Sequence, residues 1–421
     1  MGVEQIIAIG VFVVVMAAII SEKIHRSVAA MCGAVALVLL GILTIDDCIS
    51  YIDFNTIGVL VGMMLFVGVV KESGLFEYLA IKAAKIAKGD PWKIMVYFII
   101  ITAVLSAFLD NVTTVLLIGP MTLTICNILG INPVPFFMTQ IMASNIGGTS
   151  TLIGDPPNIM IGSAANLSFF DFVANLSIPI IIILIAYIIC FHFIYGKKLF
   201  VKPEAMADVL KLDEQKVIKD RKLLHKSVIL IALVVVGFIF HGQLGIQSCM
   251  VALSAAALMM LIGKQDIEEI VTGIEWTTIL FFVGLFVVVG GMVQVGIITD
   301  FANALMDFTA GQVVLTMILL LWVSAIVSSI LDNIPFVATI IPVILAMEAS
   351  GIDVQPLWWA VSLGACLGGN GTLIGASANV VLSGISNKQG YPITFIGYLK
   401  VGFPLMLMSI VIATIYLLIR F

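Results

Sequence analysis

The sequence predicts an all-α polytopic membrane protein made of two inverted repeats of five spans each, every repeat carrying a re-entrant helical hairpin and a broken helix. Three observations lead there. Of 421 residues, 61% are hydrophobic and 11% charged, with mean hydropathy +1.20, whereas a soluble globule is nearer half apolar and a quarter charged. A polar motif is written twice: Leu109-Asp110-Asn111 returns 222 positions on as Leu331-Asp332-Asn333, and Gly147-Gly148, Thr151-Leu152-Ile153-Gly154 and Asn158 return 221 positions on as Gly368-Gly369, Thr372-Leu373-Ile374-Gly375 and Asn379. The basic residues are distributed as two opposite orientations require.

The same offset pairs Thr56-Ile57 with Thr278-Ile279, Gly62, Gly68 and Gly74 with Gly284, Gly290 and Gly296, and Ser106 and Pro120 with Ser328 and Pro342. Residues 1–199 therefore form one repeat and 223–421 the other. The hydrophilic stretch 200–222 is too polar to span and too short for a domain, which makes it a linker.

Spans of roughly 20 apolar residues open the first repeat at 3–21, 27–43 and 55–70. The run from Gln5 to Ile20 lacks the basic start and cleavage site of a signal peptide and is expected to remain as a span. Between Glu72 and Lys88, Leu75, Leu79 and Ile86 alternate with Lys82, Lys85 and Lys88, the pattern of a helix lying in the cytoplasmic interface. Its counterpart near 295–309 is less charged. The hairpin, 94–129, has two apolar arms of about 15 residues, enough to reach partway through the bilayer and return, around the tip Asp110-Asn111-Val112-Thr113-Thr114. The broken helix, 134–166, is interrupted from Gly147 to Pro157 by glycines and a double proline. A last span covers 176–196.

The second repeat reads alike: spans 225–242, 247–262 and 276–293, hairpin 313–346, broken helix 356–386 and span 400–419. Its hairpin turns at Asp332-Asn333-Ile334-Pro335, with Pro335 suited to the first turn of the returning helix. Five crossings per repeat, an odd number, force inversion. With the linker cytoplasmic, all but Arg420 of the 20 lysines and arginines fall inside, including Lys71 to Lys93, Lys197 to Lys226, Lys264, Lys388 and Lys400. The outer loops 44–54, 166–175, 242–247, 295–311 and 348–356 hold none, so both termini are expected outside.

A broken helix in apolar surroundings exposes carbonyls to cations and helix N-termini to anions. The candidate ligands are Asn111, Thr113, Asn145, Gly148, Thr149, Ser150, Thr151 and Asn158 in the first copy, and Asn333, Asn370, Gly371, Thr372, Ser377 and Asn379 in the second. Their amides, hydroxyls and freed carbonyls suit a hard monovalent cation. Asp110, Asp155 and Asp332 fall in the expected interior with no lysine or arginine to pair with them, so each must be protonated or hold a cation. Exchange of H⁺ or Na⁺ is expected at Asp110 and Asp332, with Asn111 and Asn333 as further Na⁺ ligands. Capping of the returning helices by the two aspartates is compatible with that role. Asp155 is matched by Ala376, which makes the copies unequal. Glu4, Glu275 and Asp300 lie near span ends and are expected to be solvated. The sequons at Asn166 and Asn175 are expected in an outer loop, and the one at Asn111 is expected to be buried.

Other chemistry finds no support. The six cysteines show no CxxC spacing and the four histidines no HxxxH or HExxH arrangement. Gly369-Asn370-Gly371 with Gly375 lacks the βαβ setting of a dinucleotide site, and no GK[ST] phosphate loop occurs, which disfavours an ATP-driven pump. No cofactor beyond a coupling H⁺ or Na⁺ is expected. Neither a nucleic-acid partner nor an enzyme activity is indicated.

The strings Phe108-Leu109-Asp110-Asn111-Val112-Thr113-Thr114, Asn145-Ile146-Gly147-Gly148 with Ile153-Gly154-Asp155-Pro156-Pro157-Asn158, and Gly364 through Asn379 resemble the ion transporter superfamily. The similarity is to its branch of ArsB arsenite permeases, NhaD sodium/proton antiporters and melanosomal P proteins, with the citrate transporter-like domain of the P proteins the nearest pattern, and it covers nearly the whole chain. It implies a scaffold domain, a transport domain of hairpins and broken helices, a homodimer and an elevator-like motion. The carboxylate-transporting branch carries Ser-Asn-Thr at its hairpin tips. The Asp-Asn tips at Asp110 and Asp332 depart from that pattern and match the NhaD one, which implies cation exchange.

The expected function is secondary transport of an inorganic ion or small solute coupled to H⁺ or Na⁺, resembling Na⁺/H⁺ exchange. Arsenite or antimonite efflux stands beside it, with Na⁺-coupled citrate or dicarboxylate transport behind and an anion channel as the rival class. The expected setting is a multi-pass position in a prokaryotic cytoplasmic membrane, with lipid and the cargo as partners.

Overall fold

A computed structural model describes residues 2–21, 23–196 and 199–421. Lys197 and Lys198, which open the basic stretch before the linker, lie outside the described residues, as do Met1 and Glu22. The described residues form 21 α-helices and no strand. Nine of these helices are long and apolar enough to cross a membrane.

The first half runs α1 (Val3–Ser21), α2 (Arg26–Leu39), α3 (Ile45–Tyr51), α4 (Phe54–Lys71), α5 (Leu75–Ile86), α6 (Pro91–Phe108), α7 (Asn111–Leu129), α8 (Val134–Thr149), α9 (Pro156–Ala164) and α10 (Phe169–Tyr195). After α11 (Pro203–Leu210) come α12 (Arg221–Phe240), α13 (Ser248–Gly263), α14 (Ile267–Thr272), α15 (Trp276–Gln294), α16 (Ile297–Phe308), α17 (Val313–Ile330), α18 (Asn333–Ala349), α19 (Gln355–Gly368), α20 (Ser377–Lys388) and α21 (Phe395–Arg420).

Local chemistry moves several boundaries away from the hydropathy pattern. The second span stops at Leu39 rather than 43, because Gly41 turns at φ +74 and Thr44 opens α3 with a capping box to Asp47. A second capping box, Ser168 with Asp171, starts α10 at Phe169, which puts Asn175 inside a helix rather than in a loop. Thr394 caps α21 five residues before the expected start at 400.

Small residues set how closely the helices approach. A Cβ on Gly62 of α4 would lie 2.7 Å from the Ala252 backbone of α13, and one on Gly284 of α15 would lie 2.7 Å from the Ala30 backbone of α2. Close backbone approach at small residues is how helices associate in lipid. These two crossings, with α15 lying against α4, join α2, α4, α13 and α15 into a frame. The capped turns and interrupted helices pack against it through α9 on α4 and α18 on α15, and against one another through α9 on α18 and α20 on α7 and α8.

The linker is docked rather than free. Its Val209 is buried, α11 lies against α5 and α7, Lys85 pairs with Glu214 at 2.5 Å and Lys219 with Glu72 at 3.0 Å. The Lys85 ammonium holds the Glu214 carboxyl below its ordinary value of 4.5. A depressed acid stabilises docking above its unfolded value and loses that contribution as pH falls through the folded one. Cleavage of residues 200–222 by an acid-active protease is therefore expected to quicken below pH 4.5. Lys85→Ala is expected to bring the same acceleration at neutral pH, read with a protease active there.

Candidate functional site

Two capped turns bring the aspartates to the site. Asp110 ends the α6–α7 turn and accepts hydrogen bonds from the Thr113 N–H (2.9 Å) and from the Thr113 hydroxyl. Asp332 accepts from the Ile334 N–H at 3.2 Å. Side-chain oxygen on the free N–H groups of a first turn is why α7 and α18 begin where they do.

The breaks are held against these turns. Thr151 Oγ1 donates to the Ala107 carbonyl and Thr372 Oγ1 to the Ser329 carbonyl. Ser106 Oγ donates to Ser144 O at 2.7 Å and Ser328 Oγ to Ala365 O at 2.6 Å. Asn158 Nδ2 reaches the carbonyls of Thr149 (3.1 Å) and Thr151 (2.9 Å), and Asn379 Nδ2 those of Gly369 (2.7 Å) and Thr372 (2.9 Å). The freed carbonyls are thus largely satisfied inside the protein, as an apolar setting demands.

Four of the candidate amides cross-link the breaks. Asn145 Nδ2 donates to Asn370 Oδ1 and Asn379 Oδ1, both at 2.9 Å, and Asn145 Oδ1 accepts from Asn111 at 3.2 Å. Asn158 Oδ1 accepts from Ser362 Oγ at 2.6 Å. Thr149 Oγ1 donates to Asn145 O, and Ser150 Oγ to Gly147 O. Gly148 and Gly371 are buried at close contacts with Gly154 O and Ser329 Cβ, 2.5 and 2.6 Å from where a Cβ would stand. Asn111 apart, these residues set the relative position of the two broken helices and do not line the central cavity.

Asp110, Asn111, Asp155, Asn333 and Ser377 converge on a central cavity of about 20 Å³. A water or a small ion needs at least ~10–15 Å³, so one such particle fits and an organic anion does not in this conformation. Asp155 is 1% exposed, and its two oxygens each lie 3.3 Å from Asn333 Nδ2. No lysine or arginine pairs with it among the described residues.

Two expectations are corrected. Asp332 is paired: Arg26 Nη1 lies 2.7 Å from its Oδ2. Hydropathy ends the span at 27, but Arg26 is the first residue of α2 and reaches inward from there. Glu275 is only partly exposed, lines the central cavity and accepts from Thr278 Oγ1 at 3.0 Å, whereas Glu4 and Asp300 are exposed. The sequence does carry a signal for Glu275, because Glu275 and Thr278 stand at the repeat offset from Asp53 and Thr56, whose side chains bond at 2.5 Å.

Around one small cavity, then, stand the carboxyl groups of Asp110, Asp155 and Glu275, with Asp332 at its edge and a single guanidinium, Arg26. A buried carboxyl group without a cationic partner is tolerated when it is protonated or joined by a cation. The donor set suits a proton or a hard monovalent ion.

Comparison with known proteins agrees with this architecture. A family model described as "Citrate transporter" matches residues 16–364. The chain belongs to this citrate transporter family. An uncharacterized transporter of Mycobacterium tuberculosis is 43% identical over 425 residues, covering 99% of both chains. Human P protein is 33% identical over 504 residues, and the chain spans 59% of its length. The crystal structure of the YdaH transporter of Alcanivorax borkumensis, described as having an unusual topology, shares the fold with a TM-score of 0.55 at 14% identity, covering 98% of this chain and 97% of that one. The protein is a multi-pass membrane transporter of the citrate transporter family and not an enzyme.

Proposed function

We propose that this citrate transporter family member is a secondary active transporter that exchanges H⁺ or Na⁺ at Asp110, Asp155 and Asp332 and uses that exchange to move an inorganic ion or small solute, in the manner of a Na⁺/H⁺ exchanger. The observation that carries the reading is Asp155: buried, without a lysine or arginine partner among the described residues, and beside a cavity the size of one small ion. Two inverted repeats, 1–199 and 223–421, support alternating access, since α7 and α18 start 222 positions apart and α9 and α20 start 221 apart. In this reading the turns and broken helices move as a unit against the frame, the linker faces the cytoplasm, both termini face out, and the working form is a homodimer.

A second reading, citrate or dicarboxylate transport, is favoured by the description of the family and by Arg26, whose planar guanidinium matches a carboxylate. Counterflow in proteoliposomes separates the readings, using Na⁺, Li⁺, chloride, arsenite, citrate and succinate, each at two pH values. Saturable exchange of Na⁺ or Li⁺ that changes with pH is expected. Citrate or succinate counterflow with no cation exchange overturns the first reading in favour of the second. Voltage-driven chloride flux without saturation overturns both in favour of a channel.

A further inference from the structure

Arg26 differs from the other described basic residues in what surrounds it. Its Nη1 is 2.7 Å from Asp332 Oδ2 and 2.7 Å from Ser377 Oγ, its Nη2 is 3.3 Å from Thr278 Oγ1, and its Cζ lies 5.1 Å above the Phe281 ring. Ser377 Oγ also donates to Asp332 at 2.9 Å. Arg26, Thr278 and Phe281 belong to the frame helices α2 and α15, whereas Asp332 and Ser377 belong to the α17–α18 turn and the second broken helix. The contact therefore spans the boundary across which transport requires movement.

The guanidinium is also a partition. On one side is the central cavity with Asp110, Asp155 and Glu275; on the other is a cavity of about 310 Å³ lined by Ile24, His25, Leu331 and Ile374, and Arg26, Asp332 and Ser377 line both or stand between them. The arrangement has no twin. The position at the repeat offset is Ser248, whose hydroxyl bonds Asn55, and the Asp110 carboxylate accepts side-chain hydrogen bonds among the described residues from Thr113 and from no arginine.

We propose that Arg26 is a tethered cation. In this conformation it fills the place of a monovalent cation at Asp332 and Ser377 and closes the central cavity on that side; transport requires Asp332 to exchange the guanidinium for a free monovalent cation as the mobile unit leaves the frame. The inference rests on the cation-coupled reading above. A fixed guanidinium competing within ~4 Å at an effective dielectric near 20 is a strong rival to a free ion, so its removal should uncover the site.

The test is equilibrium dialysis of purified full-length protein against radiolabelled Na⁺ at pH 8. Arg26→Gln is expected to bind Na⁺ at least about tenfold more tightly than wild type, and the Arg26→Gln/Asp332→Asn double variant is expected to lose that gain. The Arg26→Asp/Asp332→Arg exchange restores the ion pair but moves the carboxylate to the frame, so it is expected to recover thermal stability without recovering flux; a purely structural pair would recover both. Arg26→Lys keeps the charge with fewer bonds, and an intermediate rise in affinity is expected should Arg26→Gln fail to fold. Unchanged or weaker Na⁺ binding in Arg26→Gln, or in Arg26→Lys if that is the variant that folds, overturns the tethered cation. If wild-type Na⁺ binding is then still lost in Asp155→Asn, the coupled-transport reading stands alone. Absence of Na⁺ binding in wild type and in every variant overturns the tethered cation together with the Na⁺ branch of the coupled-transport reading.

Discussion

Asp155→Asn is expected to separate stability from function. The asparagine keeps the shape and one oxygen beside Asn333 while removing the charge, and with it the proton site, from a position that is 1% exposed. A charge-assisted contact is worth about 1.5–3 kcal/mol, so affinity for the coupling cation is expected to fall roughly 10- to 100-fold and cation-coupled flux to disappear at ordinary concentrations. The fold is expected to gain. Replacing a lone buried charge by a neutral isostere is commonly neutral or stabilising, and the melting midpoint in detergent should hold or rise. Unimpaired, still cation-dependent flux in this variant would show that the coupling site lies elsewhere.

Gly147→Ala is expected to have the opposite signature. In a helix interior, alanine is favoured over glycine by about 1 kcal/mol, and at Gly10 of α1, where nothing lies within 4 Å of the added carbon, that gain should appear. At Gly147 the added carbon would stand 2.1 Å from the carbonyl oxygen of Ala103 and 2.5 Å from its Cα. Backbone of α6 cannot turn aside as a side chain can, so α8 must move. Overpacking of this kind costs about 1–3 kcal/mol and sometimes more, which outweighs the propensity gain. The displacement also falls within two residues of Asn145, on which the amide cross-link depends. Loss of the monodisperse peak and a lowered melting midpoint are expected. Gly368→Ala, facing Ala325 O at 2.6 Å, should be milder in the same direction.

Much of this was legible in the chain. Gly147-Gly148 and Pro156-Pro157 announce a helix that cannot continue, and an aspartate followed by an amide at Asp110 and Asp332 announces a cap; both are local physics, written within a few residues. What the sequence could not convey is which polar groups face a ligand and which face one another. Asn145, Asn158, Asn370 and Asn379 are the residue type an ion site uses, yet their amides join the two broken helices. Arg26 was missed for a related reason. It sits one residue outside an apolar window, and its partner is 306 positions away, so only the packing of α2 on α15 reveals that a charge at the edge of a span neutralises one at a distant turn.

The central claim is that a buried carboxylate at the meeting point of the turns and breaks couples transport to a cation. Proton flux in proteoliposomes, followed with a pH-sensitive dye as Na⁺ or Li⁺ is added to one side, measures it most directly. A saturable, cation-triggered proton movement that Asp155→Asn abolishes is the predicted result. Dye traces that ignore Na⁺ and Li⁺ in wild type, or that are identical in Asp155→Asn, would contradict it.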